Sequence, residues 1–191
     1  ISTIEASATF TLSVAQLAAL PTVLAEIATP YQVAISDTAA HVEASLTGAN
    51  SVLIQAGSSL SGITLTDGSL PTITLSVAAL SASTTVLPLI GSSYHLDVAD
   101  TTSAVQADLA AAVSVLRAEA ATLHAVAVTG GTVLSLTAIQ VLRSGVATVL
   151  AVTSGLTNVL VTGVAISQVA TIAGLGIGQL LMAISDSGAA L

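Results

Sequence analysis

The chain repeats itself with a period of 63 residues, and this feature limits its possible folds more than any other. The segment ATFTLSVAQL at 8–17 returns as PTITLSVAAL at 71–80, and Asp37 returns as Asp100. A fixed period is typical of repeat proteins, in which each unit packs against its neighbours. We therefore expect one repeat array over residues 1–191, with approximate units 8–70, 71–133 and 134–191.

The third unit is degenerate, because its best match to the second requires a two-residue insertion. Each unit also has two halves. Alternating apolar stretches end near residues 36, 66, 99, 129 and 162, at spacings of 30 or 33. We therefore expect two related half-units of unequal length in each repeat.

Each half-unit reads as a strand followed by a helix. Gln32–Ser36 is rich in β-branched residues, and Asp37 and Thr38 offer N-cap oxygens for a helix after it. Apolar residues then recur at helical spacing, namely Val42, Leu46, Ala49 and Leu53. The second copy repeats this order, with a strand at His95–Ala99 and the cap at Asp100 and Thr101.

This order predicts an α/β repeat array or solenoid of strand–helix half-units. Strands joined by helices form parallel sheets through right-handed crossovers. The alternative is a β-solenoid, in which the segments rich in Ala, Ser and Thr are strands instead of helices.

The turn signal Asp67-Gly68 lies between the strand-like segments Gly62–Thr66 and Thr72–Leu75, and it predicts a hairpin or a tight kink. Ser76 is then expected to cap a helix that carries Val77, Leu80, Leu87 and Ile90. Pro88 predicts that this helix is short or broken. Pro21 lies inside the corresponding segment of the first copy, and Pro30 marks its exit.

The charge composition excludes several classes of partner. The chain has ten acidic residues, two arginines and no lysine, for a net charge of −8. Nucleic acids and anionic membrane surfaces bind through clustered Lys and Arg, so we expect neither partner. There is no cysteine, which excludes disulfides and thiolate metal sites. The chain begins at Ile1 without a basic signal segment, and we expect it to be a piece of a longer protein.

The uncharged run Val164–Ile184 is long enough to span a bilayer. Ser, Thr, Gly and Gln interrupt it, and no Lys, Arg, Trp or Tyr flanks it, so we expect no membrane insertion.

Three aspartates at corresponding strand ends, Asp37, Asp67 and Asp100, are candidate calcium ligands. Ca²⁺ requires six to eight oxygens, and each of these positions offers one or two. Helix capping and turn formation explain the three residues better. We expect no cofactor, with calcium as the alternative.

No set of residues predicts catalysis. His41, His95 and His124 lie at three different phases of the repeat, so we expect no shared zinc site or catalytic base. Asp97 and Asp100 point to opposite faces of one strand and form no carboxylate pair. Gly174–Gly178 lacks the dinucleotide-binding spacing, and it predicts a bend between terminal helices. We expect that the chain is not an enzyme.

Threonine pairs at 9/11, 64/66 and 72/74 suggest a second function. Flat ranks of outward threonines, or a free sheet edge, could bind ice or carbohydrate. The pair at 64/66 becomes Ala127 and Thr129 in the next copy, and ordinary β-propensity explains threonine in strands.

Several phrases resemble tandem repeats of very large secreted or cell-surface bacterial proteins, such as adhesins, matrix components and type I secretion products of alphaproteobacteria. The phrases are ITLTDGxxPTITLS at 63–76, IATPYQVAISDTAA at 27–40 and YHLDVADT at 94–101. The resemblance extends to about residue 130 and implies an extracellular or cell-surface structural role without catalytic residues.

We therefore expect a structural repeat module of an extracellular assembly: a filament, surface layer, matrix or adhesin stalk. A module that binds carbohydrate or ice is the alternative. Repeat stacks end in unpaired strands, and few charges protect them here. The expected partners are other copies of the chain or neighbouring repeats, with Leu180 and Ile184 in the contact.

Overall fold

The computed structural model describes residues 8–20 and 31–185. The chain divides into two compact units, residues 1–95 and 96–191. Among the described residues, the strands form three small sheets. Pro21 and Pro30 lie outside the described residues.

The first unit contains a three-stranded parallel sheet with the order β1-β2-β3. Its described elements are β1 (Ala8–Leu12), α1 (Val14–Ala19), β2 (Tyr31–Asp37), α2 (Ala39–Thr47), α3 (Val52–Ala56), β3 (Leu60–Leu65), β4 (Thr72–Leu75) and α4 (Val77–Ala82). Short 3-10 helices at Gly57–Ser59 and Leu87–Leu89 complete it.

The second unit has two sets of parallel strands, one with the order β5-β6-β8 and one with the order β7-β9-β10. Its strands are β5 (His95–Thr101), which begins at the unit boundary, β6 (Leu123–Thr129), β7 (Val133–Thr137), β8 (Thr153–Ser154), β9 (Asn158–Val164) and β10 (Leu180–Ile184). Its helices are α5 (Thr102–Ala110), α6 (Val115–Ala118), α7 (Ala138–Val141), α8 (Val146–Ala151) and α9 (Ile166–Ala173).

The predicted α/β class is confirmed, and the alternative in which the Ala/Ser/Thr-rich segments are strands is wrong. Hydroxyl side chains cap several of these helices. The Oγ1 of Thr38 accepts from His41 N at 3.4 Å, and the Oγ of Ser76 accepts from Ala79 N at 3.1 Å. A capped N-terminus satisfies backbone donors that short helices otherwise expose.

Two local predictions need correction. β3 and β4 do not form a hairpin, since β3 belongs to the sheet β1-β2-β3 and β4 does not; the turn at Asp67-Gly68 is a kink. The helix predicted to extend to Leu53 is interrupted, because α2 ends at Thr47 and α3 begins at Val52. The expectation of a short helix before Pro88 is confirmed, since α4 ends at Ala82 and Pro88 lies in a 3-10 helix.

The cores consist of small aliphatic side chains. Strands β2 and β3 alternate buried and more exposed residues, and Val33, Ile35 and Ile63 are each 1% exposed. The single phenylalanine, Phe10, is 38% exposed and lies edge-on to Tyr31, with ring centroids 6.4 Å apart. Ala, Val, Leu and Ile therefore provide nearly all of the buried surface that stabilises both units.

The apolar run Val164–Ile184 includes α9, the glycine-containing loop after it, and β10. No helix among the described residues is long and apolar enough to cross a membrane. Gly174–Gly178 connects a helix to a strand, so the expectation of a bend between two terminal helices was wrong.

Candidate binding and assembly sites

The Asp37 carboxylate lies at the end of β2 and is almost fully buried, with 8% of the residue exposed. Its Oδ2 accepts from Val14 N at 2.9 Å, and its Oδ1 accepts from Thr38 N at 2.8 Å. Oδ1 also lies 2.6 Å from Nδ1 of His41. Both carboxylate oxygens therefore have partners, three groups in all from two chain segments, the start of α1 and the start of α2.

Opposing effects set the pKa of Asp37. Burial alone would raise the pKa of this carboxyl. The hydrogen bonds from His41, Val14 N and Thr38 N, together with the charge of His41, lower it and prevail, so the pKa lies below its ordinary value of 3.8.

Asp67 and Asp100 also accept backbone hydrogen bonds. The Oδ2 of Asp67 accepts from Ala39 N, the first residue of α2, at 2.7 Å. The Oδ1 of Asp100 accepts from Thr101 N at 2.7 Å. The N-cap of α5 is Thr101, whose Oγ1 accepts from Ala104 N at 3.2 Å, so the expectation that Asp100 itself caps the helix needs correction.

Two histidines pair with aspartates that the sequence left separate. His41 contacts Asp37 one helical turn away, and Nδ1 of His124 on β6 lies 2.9 Å from Oδ1 of Asp97 on β5. No group of three or more His, Asp, Glu or Cys side chains that could hold a metal ion occurs in the part of the chain that the structure describes. The expectation of no cofactor, with calcium at Asp37, Asp67 and Asp100 as the alternative, stays a prediction.

Both arginines donate to the carboxyl end of α5. Nη2 of Arg117 donates to the carbonyls of Ala111 and Ala112 at 2.8 and 2.9 Å. Nη1 of Arg143 donates to those of Ala110 and Ala111, both at 2.8 Å. Because cations favour the negative end of a helix, the chain's two basic side chains act as helix caps.

The threonine pairs do not form a continuous rank on the sheet β1-β2-β3. Thr9 and Thr11 are exposed on β1, and Thr64 is exposed on β3. Between them, β2 places Gln32 beside Thr9 and Ala34 beside Thr11. Ice or carbohydrate binding through this face stays a prediction.

A cavity of about 370 Å³ lies in the first unit between α1, β2 and α3. Apolar Leu17, Val33 and Val52 line it together with Tyr31, Asn50 and Gln55. Its described lining contains no acid, histidine or arginine.

The predicted assembly residues Leu180 and Ile184 are the first and last residues of β10, the end strand of the order β7-β9-β10. Ile184 is 57% exposed, its neighbour Leu181 is 49% exposed, and Leu180 is half-buried. An uncharged apolar strand at a sheet edge is a template for pairing with another chain.

Sequence reasoning missed one pair of polar contacts. The Oε2 of Glu43 on α2 accepts from Thr74 N of β4 at 2.6 Å, and the Oε1 of Gln106 on α5 accepts from Ser135 N of β7 at 2.7 Å. Glu43 and Gln106 are 63 residues apart and both end in an acceptor oxygen. That correspondence was the available signal.

These features define a small-residue α/β protein whose polar side chains mostly serve its own backbone. Comparisons with protein-family models, with curated proteins and with solved structures found no match to the chain.

Proposed function

We propose that the chain is a structural repeat module of an extracellular assembly, and that its 63-residue copies stack end to end as an α/β solenoid. The approximate copies are 8–70, 71–133 and 134–191. The observation that carries the proposal is a pair of equivalent contacts, in which one copy accepts the first strand of the next.

In the first contact, β4 packs against α2 and Thr74 N donates to Glu43. In the second, β7 packs against α5 and Ser135 N donates to Gln106. Each time, a helix from one proposed copy supplies an acceptor oxygen to the first strand of the following copy. Repeat proteins are stabilised by such neighbour interfaces.

A second recurring contact lies at strand edges. Ile63 of β3 forms a parallel bridge with Ile90, and Val126 of β6 pairs in parallel with Thr153 of β8. Val126 and Thr153 lie 63 residues after Ile63 and Ile90, respectively. The same edge of two proposed copies is therefore covered in the same way.

The strand order also supports the proposal. β1, β2 and β3 of the first proposed copy form one parallel sheet, and β7, β9 and β10 form another in the same chain order. The extracellular location is part of the proposal. The resemblance of residues 27–40, 63–76 and 94–101 to secreted bacterial repeats supports it.

Concentration-dependent sedimentation, followed by electron microscopy of the associated fraction, tests the proposed function. We expect reversible association into linear particles whose repeat distance equals the length of one chain. A protein that stays monomeric at every concentration, with no polymer in its native source, would reject the proposal.

A further inference from the structure

The two covered helices have a third counterpart, α9, and among the described residues no further strand follows β10 to pack on it. In α2 and α5 the side chain that accepts the hydrogen bond lies three residues before the last buried residue of the helix. Glu43 lies three residues before Leu46, and Gln106 lies three residues before Leu109. In α9 the buried residue is Ile172, and the same count leads to Val169. α2 and α5 bury three side chains each, whereas α9 buries only Ile172.

The side of α9 that corresponds to the two contacts is apolar. Ile166, three residues before Val169 and therefore on the same side of the helix, is 62% exposed, and its counterparts in the covered helices, Ala40 and Ser103, are exposed as well. Val169 is half-buried. We call Ile166 and Val169 the α9 face.

Strand β10 lacks the further neighbour that the corresponding strands β3 and β6 have. Ile35, Val98 and Val161 occupy one position in successive sheets, and their neighbours on the next strand are Ile63, Val126 and Met182. Ile63 and Val126 each pair with a further segment on their other side. Within residues 31–185, Met182 has no strand partner other than β9.

The matching uncovered strand is β1. Its Phe10 is 38% exposed, whereas the corresponding residues of β4 and β7, Ile73 and Leu134, are both 0% exposed. Thr11 corresponds to Thr74, whose N–H is held by Glu43. β1 is the first strand of the order β1-β2-β3 and has a described strand on one side only.

We propose that the α9 face and the adjoining edge of β10 receive a second copy of this chain, whose β1 packs on α9 as β4 packs on α2. This inference rests on the proposed function and adds its polarity and its contact residues. The two surfaces differ, so the interface is head-to-tail, and such an interface extends into a filament unless its rotation closes a ring.

Two variants that each block one surface test the polarity. Val169→Lys places a cationic donor at the position where the two covered helices carry an acceptor for the N–H of the incoming strand. Phe10→Asp blocks β1, with Thr11→Pro as the substitute if Phe10→Asp lowers the melting temperature. Val113→Asp and Val113→Lys, at a loop residue that is 90% exposed, control for added charge of either sign.

Each blocked variant should sediment as a monomer under conditions in which the wild type and both Val113 variants associate. An equimolar mixture should form a one-to-one dimer and nothing larger, because one intact α9 face and one intact β1 remain. If the wild type associates and the mixture stays monomeric, the head-to-tail inference is wrong while the proposed function stands. A monomeric wild type rejects both.

Restoring the missing acceptor provides an independent test. Val169→Gln gives α9 a glutamine at the position equivalent to Gln106. In the proposed contact this side chain is within reach of the backbone N–H of Thr11 in the second copy. The expected result is a dissociation constant lowered about 2- to 10-fold, the effect of one net hydrogen bond. The matched control Ser167→Gln, on the other side of α9, should leave it unchanged. Weaker association of Val169→Gln would indicate undirected apolar contact and overturn the inference.

Discussion

The Asp37 carboxylate at the end of β2 accepts a 2.9 Å hydrogen bond from the backbone N–H of Val14, the first residue of α1. Asp67, just after β3, does the same for Ala39, the first residue of α2. In both cases an aspartate at or just after the end of one strand binds the first residue of the helix that follows the preceding strand. Negative charge near a helix N-terminus is favourable, so these residues tie successive half-units together.

Replacement of Asp37 should lower the stability of the fold at neutral pH. It should also make that stability less sensitive to acid. Asp37→Asn is expected to reduce the free energy of unfolding at neutral pH by about 1–3 kcal/mol, because a buried carboxylate loses charge-assisted hydrogen bonds. The folded-state pKa lies below the ordinary 3.8, so the ionised group stabilises the fold above that value. This stabilisation is lost as the pH falls through the folded-state pKa.

Melting temperatures measured from neutral pH down to about pH 2, with calcium and with chelator, check this prediction. The wild type should lose more stability than Asp37→Asn over the acidic range, and equally with calcium or chelator. Parallel acid profiles for the two proteins would show that Asp37 has an ordinary pKa. A difference that requires calcium would show that Asp37 is a metal ligand.

Thr101, and not Asp100, should carry the larger capping effect at α5. Thr101→Ala removes the acceptor for Ala104 N and is expected to cost about 0.5–2 kcal/mol. Thr101→Ser retains the hydroxyl and should cost less. Chemical denaturation of both variants and of Asp100→Ala gives the ranking, and a calcium-dependent loss in Asp100→Ala would reveal metal binding there.

Local sequence signals predicted elements well but could not predict partners. The strand at Gln32–Ser36 and the helix after Thr38 follow from residue periodicity and cap chemistry, which act over a few residues. The turn signal Asp67-Gly68 is equally local, and it bends the chain without deciding which strand β4 adjoins. The sequence left a hairpin and a kink as alternatives here, and the kink was found, because strand pairing is decided by contacts far apart in sequence.

The candidate sites depended on strand register, which the sequence did not reveal. His124 meets Asp97 only because β5 and β6 adjoin, with Asp97 beside Ala125. Arg117 and Arg143 reach the same helix end from two different segments. Their common role follows from the fold, whereas the sequence indicated only that basic side chains were scarce.

Arg143 should contribute to stability as a helix cap. Arg143→Met keeps much of the apolar side-chain volume but removes the donors to Ala110 and Ala111. We expect a loss of about 1–2 kcal/mol in the free energy of unfolding. Arg143→Lys should restore part of it, because an ammonium still suits the helix terminus but cannot reproduce the planar donor geometry. Equal stability of Arg143→Met and wild type in urea denaturation would contradict this role.

Gly155 should not tolerate a side chain. Its φ is +87°, and a Cβ there would clash with the carbonyl oxygen of Val128 on β6. Gly155→Ala is expected to cost about 2–4 kcal/mol through backbone strain and displacement of the segment beside β6. Gly68→Ala is the matched control, since a Cβ at Gly68 meets nothing within 4 Å. Thermal unfolding compares the two, and similar melting temperatures would refute the close approach.

A charge at Ile184 should oppose association even though it moves the net charge towards zero. Ile184→Lys changes the net charge from −8 to −7, which by general repulsion would favour contact between copies. If the edge of β10 is the contact, the free-energy cost of burying a lysine there exceeds the gain from weaker charge repulsion between copies. Solubility then rises, and sedimentation shifts towards monomer. Val113→Lys has the same effect on net charge at an exposed loop residue and should associate at least as strongly as wild type. Leu180→Lys should act like Ile184→Lys, with a larger folding cost because Leu180 is half-buried. If Ile184→Lys associates as strongly as Val113→Lys, the contact between copies lies away from β10.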